Sequence, residues 1–167
     1  MRGKLTVAVA TIALVVGVVT LASAHPRGAS GKGERVIKVL EVVPPSQATT
    51  LDLGPQGLSL GDQLISSGDL FSPKGGPKLG IDGVVCSIVR IEQKGNAVTN
   101  QCVATASFAG GQITAQGLVT FSGEAPPSSF DFAVTGGTGD FEGVKGQVTV
   151  EPINETDTLL TVHLLNN

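Results

Sequence analysis

Apolar residues recur at every second position in short runs along this chain, and no stretch carries a convincing apolar stripe at helical spacing. The plainest run is Gly146-Gln147-Val148-Thr149-Val150, where polar and apolar residues alternate as they do in a half-buried strand. Runs of this kind, bounded by Gly, Pro, Asn and Asp, predict strands at Val36–Val43, Gly57–Ser67, Gly80–Gln93, Ala97–Phe108, Gln112–Phe121, Phe130–Val134, Gly143–Val150 and Thr158–Leu164. Pro44-Pro45 and Pro126-Pro127 mark the ends of two of them. The fold class is therefore all-β. An antiparallel meander of this length closes most simply into an eight-stranded up-and-down β-barrel of calycin-like form, which removes exposed sheet edges. Such a barrel either fills with side chains or holds one small ligand.

Parity along the first strand sorts its side chains. Lys38 belongs in water, so Val36, Leu40 and Val42 share the outer face, and Ile37, Val39, Glu41 and Val43 share the inner face. This places Ile37, Val39 and Val43 as cavity-lining candidates and Glu41 as the candidate catalytic group. A carboxylate among aliphatics has a raised pKa unless it is paired, and perturbed groups cluster at functional sites. The alternative places Glu41 at the barrel mouth, solvated or beside a cation. The outer trio is too apolar for open solvent, which points to a covered surface such as a subunit interface.

Two cysteines, Cys86 and Cys102, flank the turn signal Lys94-Gly95-Asn96 at their midpoint. Folding the chain there sets them opposite each other on adjacent antiparallel strands, and a disulfide needs Cα atoms about 5.5 Å apart. Two free thiols are the alternative. The glycine-rich corner at 135–150, with Gly136, Gly137 and Gly139, reads as a structural strand–turn–strand element. Its spacing matches neither phosphate-loop nor dinucleotide fingerprints, and a strand rather than a helix follows it.

The first residues read as a targeting signal. Arg2 and Lys4 precede an apolar run from Leu5 to Leu21, and Ala22-Ser23-Ala24 has the small-residue cleavage pattern. A membrane anchor is the competing reading, but the run falls short of the roughly 20 residues that span a bilayer. The expected organisation is a signal peptide at 1–24, a Gly/Ser/Pro-rich flexible linker at 25–35 and one barrel domain at 36–167. The product would be secreted or held in the cell envelope, without a membrane segment after cleavage. The disulfide suits that oxidising setting.

The net charge is −3, and the signal carries away two of the eleven basic residues. An acidic surface without Trp or Tyr argues against nucleic-acid binding. No zinc spacing or Ser/His/Asp order appears, and no cofactor is expected. His25, first after the cleavage point, could chelate copper only with a second histidine, and the other one is His163 on the last strand. Asn154-Glu155-Thr156 is a glycosylation acceptor pattern in a turn. Asp62 and Asp69 are candidate rim carboxylates, with solvated turn positions as the alternative.

Six blocks in order carry a family likeness. They are Val39-Leu40-Glu41-Val42; Leu60-Gly61-Asp62; Leu79-Gly80-Ile81 with Cys86; Gly111-Gln112-Ile113 with Gln116-Gly117; the Ala133–Gly139 corner; and Gly146-Gln147-Val148. Together they resemble the allene oxide cyclase and dirigent superfamily. The resemblance implies an eight-stranded barrel with a hydrophobic cavity, often a homotrimer, whose members act on reactive small molecules by holding one conformer. It implies that Glu41 matches a glutamate that stabilises positive charge. The chain departs from the cyclase pattern at Val43 and Gly68, where the motif has asparagines, and it has no cavity tyrosine. Cys86 matches a cavity cysteine, and Glu142 or Lys145 stands where dirigent proteins carry an arginine. The expected function is an exported barrel that binds a hydrophobic reactive molecule and directs its cyclisation, isomerisation or stereoselective coupling. The alternative is a non-catalytic lipophilic carrier or a structural barrel.

Overall fold

The computed structural model describes residues 33–73, 75–92, 97–122 and 127–165. The expected signal peptide, His25 and the turn at Lys94-Gly95-Asn96 lie outside these residues. Ten strands form one antiparallel sheet: β1 (Glu34–Val42), β2 (Ala48–Leu51), β3 (Gln63–Ser66), β4 (Asp69–Phe71), β5 (Lys78–Glu92), β6 (Ala97–Phe108), β7 (Gly111–Ser122), β8 (Phe130–Gly137), β9 (Lys145–Pro152) and β10 (Asp157–Leu165). Eight of them, β1 and β4 through β10, follow one another around a closed ring in chain order. β1 pairs with β10 along its whole length and with β4 only from Leu40 to Val42, so the barrel closes through a three-residue seam.

The seam is short because the first two barrel strands are both broken. Pro44 and Pro45 have no N–H to give a ladder. The chain turns there through a 3-10 turn, Pro45–Gln47, into β2. β3 and β4 lie in succession along the same edge of β5, β3 against Val84–Ser87 and β4 against Lys78–Ile81. They amount to one strand interrupted at Ser67-Gly68. Strands of three and four residues are too short to display alternation, and for that reason β2 and β4 are absent from the sequence-based strands.

The expected strand at Gly57–Ser67 is corrected to Gln63–Ser66. The residues before it form a loop organised by the buried Asp62 carboxylate. That carboxylate accepts the N–H groups of Ser59 at 2.7 Å and Leu53 at 3.0 Å, together with the Ser59 hydroxyl. These donors, Ser59 foremost, hold its pKa below the usual carboxylate range. β1 begins at Glu34, ahead of the expected start at Val36, and β8 runs on to Gly137.

The glycine corner closes one end of the barrel. Gly139 has φ +61°, and a Cβ there would lie 2.3 Å from the Gly110 carbonyl oxygen. A Cβ on Gly137 would lie 2.5 Å from the Phe141 carbonyl oxygen. Gly136 sits where the pairing of β8 with β7 shifts register. This tight backbone forms a second 3-10 turn, Gly139–Phe141, which buries Phe141 in the core cluster that holds Val134 and Leu164 and against which Ile37 packs. The Phe108 ring lies 5.7 Å from that of Phe141, and the Arg35 guanidinium stacks over Phe141 from outside at 5.1 Å. Cys86 and Cys102 are directly paired across β5 and β6 and joined in a disulfide.

Candidate functional site

Above the Phe141 plug the lumen stays open as a cavity of about 470 Å³, within the range of small-molecule sites. Its wall is mostly aliphatic, with Phe108, Phe121, Phe130 and Phe132 adding flat apolar surface. Val39, Glu41 and Val43 line it, and so do both disulfide cysteines. Ile37, expected on this wall, has the right parity but sits too near the plugged end and packs into the core cluster instead. Asp62 and Asp69 are not part of the wall: Asp62 holds its loop, and Asp69 pairs with Lys78 at 2.7 Å. The cavity extends to the turn joining β9 and β10. There the Asn154 side-chain oxygen accepts the N–H groups of Thr156 and Asp157 at 2.9 and 2.8 Å, and Glu155 stands exposed. His163 pairs with Glu34 on the outer face.

Glu41 is 8% exposed, and its partner is a second acid, not a cation. Asp82, 6% exposed, hydrogen-bonds it across the lumen wall. Three strands build the pair. Glu41 comes from β1, opposite Thr158 of β10, whose side chain also hydrogen-bonds the Glu41 carboxyl. Asp82 comes from β5 at the interruption between β3 and β4, where the Gly68 N–H donates to Asp82 Oδ1 at 2.7 Å. The Ser67 hydroxyl donates to the Asp82 carbonyl at 2.6 Å, and Asp82 N–H donates to the Gly68 carbonyl at 2.9 Å. The break in the strand thus turns a backbone donor inward to hold a carboxylate.

Burial first, then the neighbouring Asp82 charge, pushes the Glu41 pKa up to about 8. Burial raises Asp82 as well, opposed by the hydrogen bonds from Glu41 and Gly68. Two carboxyls in contact share one proton, because both cannot ionise cheaply in an apolar wall. The backbone donor on Asp82 favours its charged form. The proton therefore resides on Glu41 and the charge on Asp82.

Gly68 is where this arrangement is most sensitive. A Cβ there would lie 2.8 Å from Glu41 Cγ and 3.0 Å from Asp82 Oδ1. Gly68→Ala is expected to leave a folded barrel but drive the two acids apart. Carbon-detected NMR titration should show the Glu41 midpoint moving down toward the ordinary carboxylate range, and an unmoved midpoint would show that the pair does not depend on this glycine.

Asp82 was missed by the sequence reading, although a signal existed. Aspartate is depleted within strands, and Asp82 shares parity with Cys86, which the family resemblance places in the cavity. The family model described as the allene oxide cyclase barrel like domain matches residues 45–164. The chain belongs to this family. No curated protein matched it by sequence. Among solved structures, this family member is similar to a pyocyanin demethylase (TM-score 0.64, 26% identity, covering 78% of this chain and 99% of that one). It is also similar to the Diels–Alderase AbmU from Streptomyces koyangensis (TM-score 0.60, 17% identity, 84% and 74% covered). A third is the pterocarpan synthase dirigent protein PsPTS1 (TM-score 0.58, 14% identity, 80% and 94% covered). The last two likenesses concern the barrel fold alone.

Proposed function

We propose that this barrel binds a hydrophobic small molecule in its lumen and directs its cyclisation, isomerisation or stereoselective coupling, with Glu41 and Asp82 acting together as the proton donor. The carrying observation is the buried pair of carboxyls, Glu41 and Asp82, set together in an otherwise apolar, ligand-sized cavity. Glu41 gives its O–H proton to a lone pair on a substrate heteroatom as the adjacent bond polarises. Its own oxygen keeps the electron pair and the new negative charge, balanced by the positive charge that forms on the substrate heteroatom, while Asp82 keeps the charge that the Gly68 N–H already supports. The same carboxyls recover the proton when the product forms. The apolar wall orients the rest of the molecule and excludes water that would divert a reactive intermediate.

The named activities of the similar structures (a demethylase, a Diels–Alderase and a pterocarpan synthase) support a barrel that acts on small molecules. They differ enough that the reaction must be assigned from this chain's own residues. The apolar share of the wall favours the carrier as second reading. Glu41→Gln separates the two: a catalyst loses turnover with its ligand still bound, and a carrier is unaffected.

The proposal includes export and assembly. The disulfide supports an oxidising compartment. On the outer face Ile81, Val85 and Val103 are each more than two-fifths exposed on neighbouring strands, which supports a partner surface of the homotrimer kind. Intact and native mass spectrometry of protein from its own host is expected to give a chain starting at His25 and a particle of three chains. A chain retaining residues 1–24 would remove the first expectation, and a monomer at micromolar concentration the second.

A further inference from the structure

We infer that the lumen selects a lipophilic amine, bound as its cation against the Glu41–Asp82 pair, and rejects carboxylates of the same size. This deepens the proposed function and rests on the lumen being the ligand site. Among the described residues the wall includes three carboxyls, those of Glu41, Asp82 and Glu155, and no Lys, Arg or His side chain. The described Lys, Arg and His side chains all lie off this wall, with Lys38 and Lys145 exposed to solvent. Arg35 lies over Phe141, Lys78 pairs with Asp69, Arg90 with Glu92, and His163 with Glu34. No described side chain of the wall can therefore neutralise an incoming anion, and burying an unpaired anion beside a carboxylate costs far more than the apolar contacts return. A fatty acid or other carboxylate is thus a poor guest.

An ammonium is the complement of this wall. It meets the charge that the Gly68 N–H helps to keep on Asp82, and it leaves the Glu41 proton in place for chemistry. The four phenylalanine rings then take up the apolar body, and their faces favour a cation as well. Exposed Glu155 sets a further negative charge at the outer part of the wall, where it would draw cations in.

Three naphthalene probes of equal size isolate the charge: 1-naphthylmethylamine, 1-naphthalenemethanol and 1-naphthoate, each titrated calorimetrically at pH 7 into the full mature protein. The amine should bind roughly tenfold to a hundredfold more tightly than the alcohol, the range of a charge-assisted contact, and the naphthoate should bind more weakly than either. Asp82→Asn should erase the amine's advantage while alcohol binding persists, and Glu41→Gln, which keeps the Asp82 charge, should retain it. Naphthoate binding as tightly as the amine, or alcohol and amine binding alike, overturns the amine preference and leaves the lumen as a ligand site. Failure of all three probes to bind the folded protein overturns the lumen as a ligand site too. If Asp82→Asn does not fold, the three-probe series on the wild-type protein decides by itself.

Discussion

Glu41→Gln is expected to lower turnover by about a hundredfold to ten-thousandfold, the usual contribution of a positioned acid, while ligand affinity changes by no more than a few-fold. Glutamine has the shape of glutamate and can still donate a hydrogen bond to Asp82, so the wall keeps its form and its charge. What disappears is the one proton able to leave. Turnover in the wild-type protein should also fall as the pH rises through about 8, where the pair gives up that proton. The assay needs the natural ligand, and native mass spectrometry of protein purified from its own host is the direct way to obtain it. A variant with undiminished turnover would strip Glu41 of its role. A variant that no longer binds the ligand would make the residue part of binding and not of chemistry.

The second large effect is on stability, and its sign runs against the usual carboxylate. In the unfolded chain Glu41 titrates near 4.5; in the barrel it titrates at about 8. Between these values the folded state binds the extra proton, so stability falls as pH rises. The contribution is fully present below about 4.5 and lost through about 8, and Asp82, also raised, acts in the same direction. The loss across that window is on the order of a few kcal/mol. Asp62, whose pKa is lowered, works oppositely and only in acid. Chemical denaturation at pH 5, 7 and 9 should therefore give falling midpoints in the wild-type protein. Glu41→Gln should flatten that fall and be more stable than wild type at pH 9. Equal wild-type midpoints at pH 5 and 9 would mean that the pair is not buried together. Both expectations come from one feature: the acid that would make the barrel a catalyst also weakens it in alkali, a common cost of functional sites.

How far the sequence carried the site can be followed residue by residue. Glu41 and Val39 were legible from β1 because strand parity needs only local alternation, anchored by one lysine. Cys86 and Cys102 were legible because they flank a turn signal in the sequence symmetrically, so that local geometry alone puts them opposite each other. Ile37 shows the limit. Its face was read correctly, but its depth in the barrel depends on which end Phe141 plugs, and that follows from a turn packed against strands distant in sequence. β4 shows another limit, since three residues carry no period.

By itself the sequence determined an all-β chain of alternating segments, the inward face of the first strand and the cysteine pair, all of which depend on neighbours within a few residues. Only the tertiary structure decided that the ring closes through β4, that Phe141 stops one end, and that Asp82 meets Glu41 beneath Gly68. The Glu41–Asp82 contact alone joins residues 41 apart in the chain, and all three features are set by register and barrel closure, which no local pattern encodes.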